Sequence, residues 1–155
     1  MRRSRQALAP DACVAILRRG TSGVLALSGD DGYPYAVPLS YAYENGKLYF
    51  HCAREGHKLD AIRRCGKASF CVIDQDQIIP EKYTTNYRSV IVFGTVRILE
   101  GGEAADAVMA LARKYSPDLG EENSRTAIDQ SGNALCALKM TIDHLSGKVG
   151  KGLLK

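Results

Sequence analysis

No C-x-x-C pair occurs among the five cysteines, Cys13, Cys52, Cys65, Cys71 and Cys136. The odd count and scattered positions do not make a disulfide framework, and reduced thiols in the cytoplasm are the simplest reading. No apolar run is long enough to cross a bilayer, which argues against a membrane partner. The basic start Met1-Arg2-Arg3-Ser4-Arg5 is followed by no apolar h-region, so a secretory signal is not expected. Positive charge is not gathered into one block. The net charge of +4 is spread over Arg2, Arg3 and Arg5, the pair Arg63-Arg64, and Lys148, Lys151 and Lys155. Such short runs read as solvated ends, and no nucleic-acid partner is expected. Internal repeats and low-complexity stretches are also absent.

What is present is an ordinary globular composition, 45% hydrophobic and 25% charged over 155 residues. That length favours one domain with a real core. The expected domain is 1–155, with a core of about 12–147, an N-terminal arm 1–10 and a loose tail 148–155. Asp11 after Pro10 is placed to cap a helix Ala12–Arg19 that Gly20 ends. Strands are expected at Val24–Leu27 and Tyr33–Tyr43, the second interrupted by Pro38. Along it Tyr33, Tyr35, Val37, Leu39, Tyr41 and Tyr43 share one face by the period of two. Asn45-Gly46 is a strong hairpin signal leading into Lys47–Cys52. A helix follows Gly56 to about Cys65, then a strand Ala68–Ile73. Gln75–Arg88 carries Pro80, lacks periodicity and reads as a long loop. Ser89–Leu99 reads as a strand and Glu103–Tyr115 as an amphipathic helix. A second short helix is expected within Pro117–Gly132, then a last strand Leu135–Leu145. About six strands with few helices and no βα alternation point to a mainly β fold, an antiparallel sheet closing into a small barrel.

The segment from Leu48 to Asp60 carries the clearest chemistry. It reads as a strand, a glycine-bearing turn and a helix start with His57-Lys58 at its entrance. A helix N-terminus offers unpaired N–H groups and partial positive charge, so added cations make a seat for phosphate. A surface helix start with exposed basic side chains is the plain alternative. His51, beside Cys52 at the strand end, faces away from Phe50 and Cys52. It serves either a ligand or a core. His51, Cys52 and His57 lack the paired spacings of zinc sites, so no metal is expected. Arg88, before Ser89, can pair a phosphate bidentately or make a surface ion pair. Gly147-x-x-Gly150-x-Gly152 is not a dinucleotide fingerprint and reads as tail.

Taken together, Tyr35–Tyr41, Asn45-Gly46, Leu48–Ala53, Gly56–Ala61 and Tyr87–Gly94 resemble the pyridoxamine 5′-phosphate oxidase-like, FMN-binding split-barrel family. The likeness is to its nitroimidazole-resistance branch and spans about Ala12 to Gly147. It implies a six-stranded antiparallel split β-barrel, a homodimer, and FMN at the subunit interface. It implies that Val37, Pro38, Leu39 and Ser40 border the flavin ring and that His51 and Cys52 touch it. His57 and Lys58 would bind the phosphate, with Arg88 and Ser89 approaching from the facing element. The implied activity is flavin-dependent reduction of a small nitroaromatic, with His51 as the catalytic candidate. The rival reading is a non-enzymatic flavin- or haem-binding storage or sensor protein. Oxidases of vitamin B6 in this family carry a basic residue where this chain has Tyr35, a lysine where it has Ser40, and a terminal segment with tryptophan. This chain has no tryptophan, which argues against vitamin B6 oxidation.

Overall fold

The computed structural model describes residues 4–131 and 136–154. Seven strands form where β-branched and aromatic residues alternate with polar ones: β1 (Ser22–Ser28), β2 (Pro34–Ser40), β3 (Ala42–Glu44), β4 (Lys47–Cys52), β5 (Lys67–Ile79), β6 (Thr84–Leu99) and β7 (Cys136–Val149). Four helices join them: α1 (Pro10–Arg19), α2 (His57–Arg64), α3 (Gly101–Tyr115) and α4 (Glu121–Ser131). The strands make one antiparallel sheet in the order β2-β1-β5-β6-β7-β4-β3.

The two edges of this sheet, β2 and β3, are consecutive in the chain and separated by Tyr41 alone. One segment therefore pairs β1 at its start and β4 at its end, which curls the sheet upon itself. Tyr41 is where the expected strand Tyr33–Tyr43 breaks, so there are seven strands where six were expected. The break is held by α3. The Tyr41 N–H donates to the Tyr115 hydroxyl at 3.1 Å, and the Tyr41 carbonyl accepts from that hydroxyl at 2.8 Å and from Lys114 at 3.0 Å. The single Tyr115 proton is shared between the Tyr41 and Thr21 carbonyls. Lys114 also donates to the Gly20 carbonyl and lies 4.3 Å from the centre of the Tyr41 ring; its burial lowers its pKa. Tyr115→Phe is expected to cost about 1 kcal/mol, because it strips the Tyr41 N–H of its acceptor. A lowered urea midpoint with an unchanged slope is the result that checks this.

The inner face of the sheet carries the core, including Leu25, Phe50, Phe70, Val90, Val92, Leu138 and Met140. Tyr41, Phe50 and Phe70 meet edge to face at 4.9 and 5.1 Å. Leu59, Ala61 and Ile62 of α2 join that core, while α3 covers the outer side near Tyr49, Leu99 and Ala137. Pro10 begins α1 as its first residue, and Asp11 lies in the first turn rather than capping it.

Two further expectations are corrected. Gln75–Arg88 is not a loop: β5 and β6 continue through it as a hairpin, pairing Gln75 with Arg88 out to Ile79 with Thr84. A bulge between Ile73 and Gln75 shifts the register, which breaks the alternation that sequence periodicity reads. Pro80 sits in the turn, where it removes no ladder bond. The tail is also not loose. β7 runs to Val149, Gly150 N–H donates to the Tyr87 carbonyl at 2.8 Å, and residues 151–153 form a 3-10 turn. The arm is tied to it, since Leu8 N–H donates to the Gly147 carbonyl at 3.0 Å. The expected start of the last strand at Leu135 lies outside the described residues. No described helix is long and apolar enough to cross a membrane.

Candidate functional site

β4 ends at Cys52, and a four-residue turn leads to α2. Gly56 sits at φ 132°, a conformation that a side chain strains, and its carbonyl accepts from Leu59 at 2.9 Å and Asp60 at 3.3 Å. The helix therefore starts abruptly, with His57 and Lys58 in its first turn. His57 is already held: Nδ1 lies 3.3 Å from Asp30 Oδ2, and its ring stands edge-on to Tyr35 at 4.5 Å. The other Asp30 oxygen pairs with Arg64 at 2.6 Å. Lys58 differs. It is half-buried and meets no carboxylate among the described residues. Its charge acts on Cys52, whose thiol burial raises to about 11 even with that charge drawing it down. Lys58 is thus a cation at a helix start with no anion paired to it among the described residues.

Beside the seat, the barrel is split. The β3–β4 ladder pairs Ala42 with Tyr49 and goes no further toward β2. Continued, it would set Ser40 opposite His51 and Leu39 opposite Cys52. Instead β2 turns to β1 and β4 keeps only β7 as its partner, pairing His51 with Ala137. The facing edges of β2 and of the end of β4 therefore keep backbone N–H and C=O groups outside any strand ladder, ready for the polar rim of a flat ligand. Val37 and Leu39 pack against the core, whereas Pro38 and Ser40 are exposed. His51 is exposed too, which removes the core-histidine reading for the single chain. A cleft of about 840 Å³ opens nearby, lined by Arg54, Glu55, Glu100, Ile128 and Cys136 among others.

Arg88 and Ser89 do not join this group within one chain. Arg88 lies 3.5 Å from Asp74 and 3.4 Å from Gln75, and Asp74 is gripped by Arg19 through two bonds of 2.6 and 2.7 Å. The surface ion pair is what the single chain shows. Tyr35, on which His57 packs, is one residue from the rung Ala36–Ala26–Ser69–Phe93. Arg88 is five residues along β6 from Phe93, about 17 Å at the rise of a strand.

Reading the sequence missed Asp30, Arg64 and Cys136 at this place. Asp30 stood in a turn, and no local signal ties it to a helix that begins 27 residues later. Among the described residues no group of three or more His, Cys, Asp or Glu side chains is placed to hold a metal ion.

The sequence model of the pyridoxamine 5′-phosphate oxidase family matches residues 9–149. No curated protein matches the chain. Solved structures share its fold at low identity. A proposed 5-nitroimidazole antibiotic resistance protein of Bacteroides thetaiotaomicron is 21% identical, with a TM-score of 0.76 over 92% of this chain and 86% of that one. A conserved hypothetical protein of Mycobacterium tuberculosis is 22% identical, with 0.78 over 94% and 88%. An FAD- and haem-binding protein of Mycobacterium smegmatis is 22% identical, with 0.78 over 97% and 76%. The family pattern runs through the split barrel and the helix start that carries Lys58, and the chain belongs to the pyridoxamine 5′-phosphate oxidase family.

Proposed function

We propose that the protein is an FMN-dependent oxidoreductase that reduces small nitroaromatic compounds such as 5-nitroimidazoles. The observation that carries this reading is Lys58, a cation without a carboxylate partner at a helix start, set beside two strand edges that part company. The residues fit the group. Lys58 and the first-turn amides of α2 would hold the phosphate, with His57 held alongside by Asp30. The open edges at Val37–Ser40 and His51-Cys52 would meet the ring. FMN, when bound, supplies the electron transfer; the chain's part is to hold it, exclude water and offer a proton at His51. The relative linked to nitroimidazole resistance supports the choice of acceptor. Tyr35 and Ser40 leave no cation at the two positions where vitamin B6 oxidases of the family have one.

The same reading calls for a homodimer. Outward residues of β2, β1, β5 and β6 form one surface, with Pro38, Val24, Cys71 and Ile91 in a row and Phe93 on a neighbouring rung. Ile73, Ile91, Phe93 and Val24 are exposed there. A second copy against this face would cover them and bring its own Arg88 and Ser89 toward the flavin, the approach that one chain cannot make. A cytoplasmic protein with reduced thiols is the matching location.

An absorbance spectrum of the purified protein, followed by anaerobic titration with a 5-nitroimidazole, tests this. Flavin bands that bleach on reduction and return as the nitro compound is consumed are the expected outcome. Lys58→Ala should weaken FMN binding about 10- to 100-fold, the worth of a charge-assisted bond. Unchanged FMN affinity would remove the phosphate assignment. The fold shared with an FAD- and haem-binding protein favours a second reading, a non-enzymatic flavin or haem binder. Bound flavin without turnover, or a Soret band, would select it.

A further inference from the structure

Cys52 and Cys136 stand directly opposite each other in the β4–β7 ladder, as its last rung. Directly opposed residues of antiparallel strands have Cα atoms about 4.5–5.5 Å apart, inside the range of about 4.4–6.8 Å that a disulfide spans. Both side chains point to the inner face, as Phe50 and Leu138 do two rungs on, and the two thiols interact. Because β4 ends at Cys52, the backbone beyond it is free of the ladder and can absorb the small closure an S–S bond requires. Both sulfurs are thiols in this structure. Cys136 is 6% exposed, yet it lines the cleft, which gives a small oxidant a path to it. Cys52 is half-buried, and burial raises its thiol to about 11, a rise that the nearby Lys58 charge offsets only in part. No other two cysteines share a rung in the described ladders.

We infer that Cys52 and Cys136 are a redox-modifiable pair, closed to an intrachain disulfide by a peroxide and reopened by a dithiol. The Cys52 thiolate attacks one peroxide oxygen. The O–O bond breaks, an S–O bond forms, and water leaves with the thiol proton. Cys136 sulfur then displaces the hydroxyl of that sulfenic acid, forming the S–S bond and a second water. Two electrons pass from the sulfurs to the peroxide. The bond staples β4 to β7 at the strand end that carries His51 and beneath Lys58.

Treatment of the full chain with a few equivalents of hydrogen peroxide tests this. Denatured thiol titration should fall from five to three, the intact mass should drop by two hydrogens, and one peptide pair should link Cys52 to Cys136. Dithiothreitol should restore all five thiols. Cys52→Ser and Cys136→Ser should each abolish the linked peptide, while Cys71→Ser should keep it. A link between any other two cysteines, oxidation to sulfinic acid with no link, or crosslinking between chains would overturn the proposal. Peptide mapping of the unsubstituted chain decides the matter even where a serine variant folds poorly. The readout is a thiol count and a linked peptide rather than flavin binding or turnover, so its failure would leave the flavin reading untouched.

Discussion

Gly94→Ala is expected to destabilise the protein by about 3 kcal/mol, at the upper end of what overpacking costs. A Cβ at this position would sit 1.8 Å from the Thr141 carbonyl oxygen and 3.0 Å from its carbon. The obstacle is backbone, so no side-chain rotation relieves it. Gly94 lies at the bulge of the β6–β7 ladder, where the register passes from Phe93 opposite His144 to Gly94 opposite Ile142. The bulge presses the two strands together, and only glycine tolerates the approach. β6 pairs β5 on its other side, where Gly94 faces Ala68, so a shift of β6 away from β7 would strain that ladder as well. Thermal unfolding should show a melting temperature lower by about 6–12 °C for a chain of this size. An unchanged melting temperature would mean that the two strands can part there at little cost.

The barrel was legible where one rule acts alone. Asn45-Gly46 has both residues at positive φ, 50° and 72°, and joins β3 to β4 as a hairpin. The period of two put Tyr35, Val37, Leu39, Tyr41 and Tyr43 on one face, and all five meet the core; Tyr33, expected with them, precedes β2 and is exposed. The sequence reading failed where two effects compete. Residues 75–79 and 84–88 pair as strand although they are mostly polar, because the ladder satisfies their backbone groups while none of their side chains is fully buried. The break at Tyr41 was hidden for another reason. It is held by Lys114 and Tyr115, more than 70 residues away, and no local pattern carries that contact.

The site divides in the same way. Gly56, His57 and Lys58 were readable because a helix start, a positive φ and a cation are local matters. Their unequal roles were not, since it takes Asp30, a turn residue from another part of the chain, to occupy His57 and leave Lys58 alone. Arg88 carried a motif signal, but its Asp74 and Gln75 partners come with the bulge that ends the regular β5 register.

His51→Ala should leave the fold and the proposed flavin binding intact and remove most of the proposed nitroreductase activity. The side chain is exposed on the outer face of β4, so its loss empties no core space and should shift stability by no more than about 0.5 kcal/mol. Its backbone pairing with Ala137 does not depend on the imidazole. FMN affinity should stay within a few-fold, because in the proposed site Lys58 and the α2 amides would carry the phosphate. Turnover of a 5-nitroimidazole should fall on the order of 100-fold or more, the usual worth of a placed acid. Reduction of a nitro group consumes protons as well as electrons, and an imidazole at the ring edge is placed to supply one. Pre-steady-state mixing of reduced, FMN-loaded protein with the nitro compound separates these steps. A variant that reoxidises at the native rate would assign His51 to the pocket wall, while loss of bound FMN would assign it to the ring contact instead.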